Sequence, residues 1–116
     1  MPSSPISTAQ EYFNLSNNSN FAGIAKLMND ETTYFSKNSG IFLGVKDIIA
    51  MQKNWHSSFT KLHWQIINIT EIKPNIVLID YNFLGTKQDN TIIKSSGLEY
   101  IIVKNNIIVH IQIQPK

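Results

Sequence analysis

The chain has 116 residues, the size of one domain and too short for two, and with 42% apolar and 16% charged residues it holds enough apolar material to bury a core. Ten lysines against eight acids leave a net charge of +2, and the absence of arginine removes the planar fork used for bidentate phosphate or base recognition, so nucleic acid is not an expected partner. There is no cysteine, which excludes disulfides, thiolate metal sites and cysteine nucleophiles. Met1 to Gln10 carries no basic residue and no apolar run of the signal-peptide kind, and no apolar stretch is long enough to span a bilayer, so the expectation is a cytoplasmic protein without a membrane partner.

Residues 1–6 read as a flexible tail containing Pro and Ser, and residues 7–116 as a single domain. Thr8-Ala-Gln-Glu11 has the spacing of a capping box, and Ala9, Tyr12, Phe13 and Ser16 follow at helical intervals, which predicts a first helix. Asn17-Asn-Ser-Asn20 interrupts it, and Phe21, Ile24, Ala25 and Met28 predict a second, shorter helix starting near Asn20. Thr32-Thr-Tyr-Phe-Ser36, the turn-forming Lys37-Asn-Ser-Gly40 and Ile41-Phe-Leu43 predict a hairpin on which only one of Tyr34 and Phe35 can point inward. From Lys46, the residues Ile48, Met51, Trp55 and Phe59 recur at helical spacing opposite Lys46, Lys53 and Asn54, which predicts a third helix, the longest of the three.

From Leu62 onward isoleucine, valine and aromatics dominate, broken at Lys73-Pro-Asn75, Lys87-Gln-Asp-Asn90 and Asn105-Asn106, so the second half reads as a meander of four antiparallel strands. In Ile76 to Leu84 the odd positions Val77, Ile79, Tyr81 and Phe83 are apolar and should face inward, which sends Asp80 to the other face. The same alternation in Ile107 to Gln114 puts Ile107, Val109, Ile111 and Ile113 inward and leaves Ile108, His110 and Gln112 on the outer face. Asparagine tolerates positive φ, so Asn105-Asn106 suits a two-residue hairpin turn. Helices first and a long antiparallel sheet after them make an α+β domain with the helices on one face of a curved sheet.

The order of these elements, together with Gly40-Ile-Phe-Leu-Gly44-Val-Lys-Asp-Ile48, Phe59-Thr-Lys-Leu62-His-Trp64 and Gly97-Leu-Glu-Tyr-Ile-Ile-Val-Lys-Asn-Asn-Ile-Ile108, resembles the SnoaL-like branch of the nuclear transport factor 2-like superfamily over nearly the whole chain. The resemblance implies a cone: a curved, mostly antiparallel sheet wrapped around three helices from the N-terminal half, with an internal pocket. Polyketide cyclases, ketosteroid isomerases, dehydratases, epoxide hydrolases and non-catalytic association modules share that fold, so the fold does not choose among them. Residue by residue, Tyr12 falls on the tyrosine that the isomerases use in their oxyanion hole. Glu99 falls near the acid that stays protonated there and donates a second hydrogen bond. The position of their proton-moving aspartate falls on Ser36, which has no basicity at neutral pH, so steroid isomerisation by that mechanism is not expected. His63 is an alternative base.

Tyr12 and Glu99 are therefore the candidate catalytic pair, and Tyr34, Trp55, Phe59, Trp64, Tyr81, Phe83, Ile101 and Ile111 the candidate ligand-binding residues. Each has a plainer reading as core, since aromatic residues at helical or strand spacing are usually packing. His56, His63 and His110 lack a partner at metal-site spacing, so no metal is expected, and no cofactor either. The sequons at Asn14, Asn17 and Asn68 lack an export signal, and the lysines form no cluster. Two readings of different class remain. One is a pocket protein that binds a hydrophobic carbonyl- or hydroxyl-bearing molecule, with isomerase- or lyase-type proton chemistry. The other is an association module with a closed pocket that forms a homodimer through the outer sheet face around Ile108, His110 and Gln112.

Overall fold

The computed structural model describes residues 4–116, so the first three residues of the expected tail lie outside the described residues. Helix α1 (Pro5–Asn17) starts a turn before the Thr8 capping box, and it takes Pro5 and Ile6 out of the tail. Ser4 is its N-cap, accepting the Ser7 N–H at 3.0 Å, and Pro5 occupies the first turn, where a missing N–H leaves no bond unmade. Thr8 is instead buried on the inner face of the helix. Helix α2 (Phe21–Ala25) is capped by Asn20, whose Oδ1 accepts the Gly23 N–H at 2.9 Å.

Strands β1 (Thr33–Ser36) and β2 (Gly40–Leu43) form the hairpin, and helix α3 (Val45–His56) follows. At 12 residues α3 is one shorter than α1, and it ends before Phe59, which opens the next strand. Its buried positions are Ile48, Gln52 and His56, one turn apart, rather than the Ile48, Met51, Trp55 and Phe59 series. Strands β3 (Phe59–Lys73), β4 (Ile76–Lys87), β5 (Ile92–Lys104) and β6 (Ile107–Pro115) make the meander. Asparagines at positive φ serve its turns: Asn75 (72°), Asn90 (69°), and the adjacent Asn105 (52°) and Asn106 (65°).

The six strands form one sheet in the order β2-β1-β6-β5-β4-β3, antiparallel throughout except for the parallel contact of β1 with β6. Register shifts in β3 and between β5 and β6 bend it, as bulges do, and the helices cover the concave face. Val77, Ile79, Tyr81 and Phe83 of β4 all point inward, and Val77 and Ile79 join Ile101, Val103, Ile24 and Ile48 in the core.

Strict alternation fails on β6. Ile102 faces His110 but Val103 faces Ile108, so one extra residue, Val109, interrupts the pairing and reverses the parity before it. Ile108 is therefore fully buried with Ile111 and does not share the outer face with His110 and Gln112, while Ile107 and Val109 are only half-buried. Among the described residues no helix is long and apolar enough to cross a membrane.

β3 is an edge strand, and Asn17 at the end of α1 takes up part of its free backbone. The Asn17 amide donates to the Trp64 carbonyl at 3.0 Å and its oxygen accepts the Trp64 N–H at 2.7 Å. Removing both bonds leaves two half-buried backbone groups without a protein partner, so Asn17→Ala is expected to lower stability by about 1–3 kcal/mol in urea unfolding. A loss under about 0.5 kcal/mol would show that water replaces the clasp fully.

Candidate functional site

A cavity of about 370 Å³ lies between the concave face and helices α1 and α3, a volume in the range of small-molecule sites. Exposed Asn38, Ser39, Lys87 and Ser95 belong to its rim. The cavity floor is the middle of the sheet, because β4, β5, β6 and β1 bring Ile79, Glu99, Ile113 and Ser36 into one cross-strand row. The roof is helical, with Tyr12 and Ser16 from α1 and Gln52 and His56 from α3.

Glu99 is the unusual member of this lining. It is 3% exposed, its cross-strand neighbours Ile79 and Ile113 are apolar, and its Oε2 has no hydrogen-bond partner in the protein. Burial pushes its carboxyl up to about 8, so the side chain is neutral at pH 7 and carries a proton it can donate. Three tyrosines, Tyr12, Tyr34 and Tyr81, stand close enough that a charge on Glu99 would raise each of their pKa values, after burial the next largest cause of their upward shifts.

Tyr81 reaches this position because the residue opposite it is Gly97, where a Cβ would lie 2.8 Å from the tyrosine hydroxyl oxygen. Tyr12 is held differently. Gln52 Nε2 donates to its hydroxyl oxygen at 2.8 Å, which leaves the hydroxyl proton for another acceptor, and the Gln52 Oε1 is buried without a protein partner. Tyr12 and Glu99 thus present two neutral O–H donors to one cavity.

On one side the cavity wall is aromatic. Trp55, Phe59, Trp64 and Phe83 pack with ring centroids 4.7–5.6 Å apart, with Trp55 38% exposed. Next to them sits His56, buried, its Nδ1 sharing a hydrogen bond with Ser19 Oγ at 2.9 Å, and burial lowers its pKa so that the ring is neutral at pH 7.

Of the residues singled out in the sequence, Tyr12, Glu99, Tyr34, Trp55, Phe59, Trp64, Tyr81 and Phe83 line the cavity. Ile101 and Ile111 do not. They pair across β5 and β6 with 0% exposure, enclosed in the core beside Val77 and Tyr34, which corrects their placement among ligand-binding residues. His63 is exposed opposite Leu84 on the outer face and cannot reach the cavity as a base. Asp80 is also outside, paired with Lys116 at 2.6 Å. Ser36 is buried in the lining, and among the described residues no three His, Asp or Glu side chains converge as a metal site requires. Gln52 and His56 are the site residues that helical apolar spacing missed. Their signal was the strict one-turn repeat Ile48, Gln52, His56, polar where a core stripe would be apolar.

No protein-family model matches the chain, and no curated protein matches its sequence. Its shape is matched closely. An NTF2-like protein of unknown function from Exiguobacterium sp. 255-15 superposes with a TM-score of 0.84 at 15% identity, over 94% of this chain and 98% of that one. The fold is NTF2-like. A protein of ketosteroid isomerase-like fold from Catenulispora acidiphila, in complex with trimethylamine, matches this chain with a TM-score of 0.85 at 14% identity, over 97% of this chain and 86% of its own. An LEH-like epoxide hydrolase from M. tuberculosis matches with a TM-score of 0.84 at 12% identity, covering 97% and 82%. At such identities the likeness establishes the NTF2-like architecture, and the chemistry has to be read from this cavity's own residues.

Proposed function

We propose that the protein binds a small, mainly apolar molecule bearing a carbonyl or hydroxyl oxygen, seated with that oxygen against Tyr12 and Glu99 and its hydrocarbon against the aromatic wall. The observation that carries this reading is Glu99, a buried carboxyl whose Oε2 has no protein partner, at the floor of a cavity large enough for a ligand. Burying a polar group without a partner is unfavourable by several kcal/mol on apolar transfer scales, and a ligand oxygen accepting its proton relieves that. The cavity is open to this use rather than packed shut by its aromatic rings, which favours the pocket reading over a closed association module. That similar structures include a small-molecule complex and an epoxide hydrolase agrees with a fold that accommodates small ligands.

The same two donors would stabilise negative charge developing on the ligand oxygen, as an isomerase or lyase requires, because both are fixed before the reaction and lie away from bulk water. The test compares 2-naphthol with naphthalene by fluorescence titration. The hydroxyl is expected to tighten binding about tenfold, equivalent to about 1.4 kcal/mol, and Tyr12→Phe and Glu99→Gln are each expected to reduce that advantage. Equal affinity for the two compounds in wild type and variants, or no binding of either, would sink the oxygen site.

A further inference from the structure

The proposed site has two donors but lacks a carboxylate acceptor at pH 7, since Glu99 is neutral and Ser36, in the same cross-strand row, has no basicity. One imidazole lines the same cavity. His56 is 9% exposed and is fixed on three sides: Phe21 meets it edge-on with centroids 4.9 Å apart, Trp64 lies tilted against it at 5.4 Å, and Ser19 Oγ holds its Nδ1 at 2.9 Å. Ser19 adopts φ 50°, a conformation uncommon outside glycine and asparagine, on the short turn between α1 and α2. In the tautomer whose Nδ1–H donates to Ser19 Oγ, the free lone pair is on Nε2, and the proposal below takes that tautomer. Along α3, His56 follows Gln52 by one turn, which puts their Cβ atoms roughly 6 Å apart on one helix face, and Gln52 holds the Tyr12 hydroxyl in the same cavity.

We propose that His56 is the general base of this cavity, removing through Nε2 a proton from an activated C–H of a ligand whose oxygen is held by Tyr12 and Glu99, with Ser19 as the positioning residue. This rests on the pocket reading given above. In the step, the C–H bond breaks, its proton goes to Nε2, and its electron pair moves toward the ligand oxygen, where the two O–H donors face the developing charge. Return of the same proton to another carbon completes an isomerisation, and departure of a leaving group instead completes an elimination.

The probe is 5-nitrobenzisoxazole, whose ring opening starts with a base: the C3 proton is taken, the nitrile forms, the N–O bond breaks and a phenolate is released, seen by its absorbance, with its developing oxygen charge facing the Tyr12 and Glu99 donors. The wild type is expected to turn the probe over at least tenfold faster than His56→Gln, and Ser19→Ala is expected to lower kcat with KM little changed. The groups packed against the ring are Ser19, Phe21, Trp55 and Trp64, none of them charged in this range, with Lys53 Nζ 6.0 Å from the Phe21 ring centroid. The wild-type rate should therefore rise through a value below the ordinary histidine 6.5 and fall near 8, where Glu99 loses its proton.

If His56→Gln keeps the rate while 2-naphthol still binds, the role of His56 is overturned and the pocket stands; if neither compound binds the wild type, the pocket reading itself fails. Should His56→Gln not fold, the wild-type profile decides: a rate that rises near 8 identifies the Glu99 carboxylate as the acceptor and overturns the proposal.

Discussion

Replacing Glu99 by glutamine is expected to make the protein markedly more stable than the wild type at pH 8, with little difference near pH 4.5. In the unfolded chain this carboxyl loses its proton near 4.5, whereas in the folded protein burial holds the proton up to about 8. Between those values the native state binds more protons than the unfolded state, so wild-type stability is full below 4.5 and falls as pH rises toward 8. The slope for one such group is about 1.4 kcal/mol per pH unit, which accumulates to about 3 kcal/mol at pH 7 and about 5 kcal/mol above pH 8. A glutamine side chain has no proton to lose over this range and removes the slope. His56 acts in the other direction, since its lowered pKa withdraws stability as pH falls below 6.5, and taking the difference between variant and wild type cancels it. The measurement is urea unfolding of both proteins between pH 5 and pH 9. Parallel stability curves would show that Glu99 ionises as it does in water and is not the buried neutral donor proposed here.

Ile101→Ala is expected to destabilise the protein by about 3–5 kcal/mol, the upper part of the range for deletion of a buried isoleucine, and Ile113→Ala by clearly less, about 1–2 kcal/mol. The two residues sit on neighbouring strands and lose the same atoms. Ile101 has 0% exposure between Val77 and Ile111, so its deletion leaves a closed void that the sheet cannot collapse. Ile113 is half-buried opposite Glu99 and borders the existing cavity, so the space it vacates joins a volume already open at the rim. Equal losses in urea unfolding would mean that the cavity extends under Ile101, restoring that residue to the ligand wall. A wider cavity in folded Ile113→Ala also provides a route to ligands larger than 2-naphthol.

The order of elements, the inward face of β4 and the asparagine turns were all legible in the chain, because each follows from local rules: a period near 3.6 or 2, or tolerance of positive φ at Asn75, Asn90, Asn105 and Asn106. Parity puts Glu99 on the same strand face as Ile101, two residues on, and it is the packing of that face under the helices that turns both inward. The start of α1 was displaced by a competing local signal, as Ser4 and Pro5 form a better N-terminus than Thr8. The parity error on β6 had a different origin. A bulge at Val109 is decided by pairing with β5, and one strand's own sequence does not show where its partner requires an extra residue.

By itself, then, the sequence determined an α+β chain with three helices, a hairpin and a long meander, together with the place of Tyr12 on the apolar stripe of the first helix, since backbone propensity and periodicity are properties of adjacent residues. Only the tertiary structure decided that a cavity of about 370 Å³ remains between helices and sheet, that Ile101 and Ile111 lie in the core instead of in its lining, and that Gln52 and His56 belong to the site. Whether a buried face ends on protein or on empty space depends on how far the α1 and α3 axes stand off a sheet bent by its bulges. That distance is set by many side chains packing at once, so no single segment encodes it.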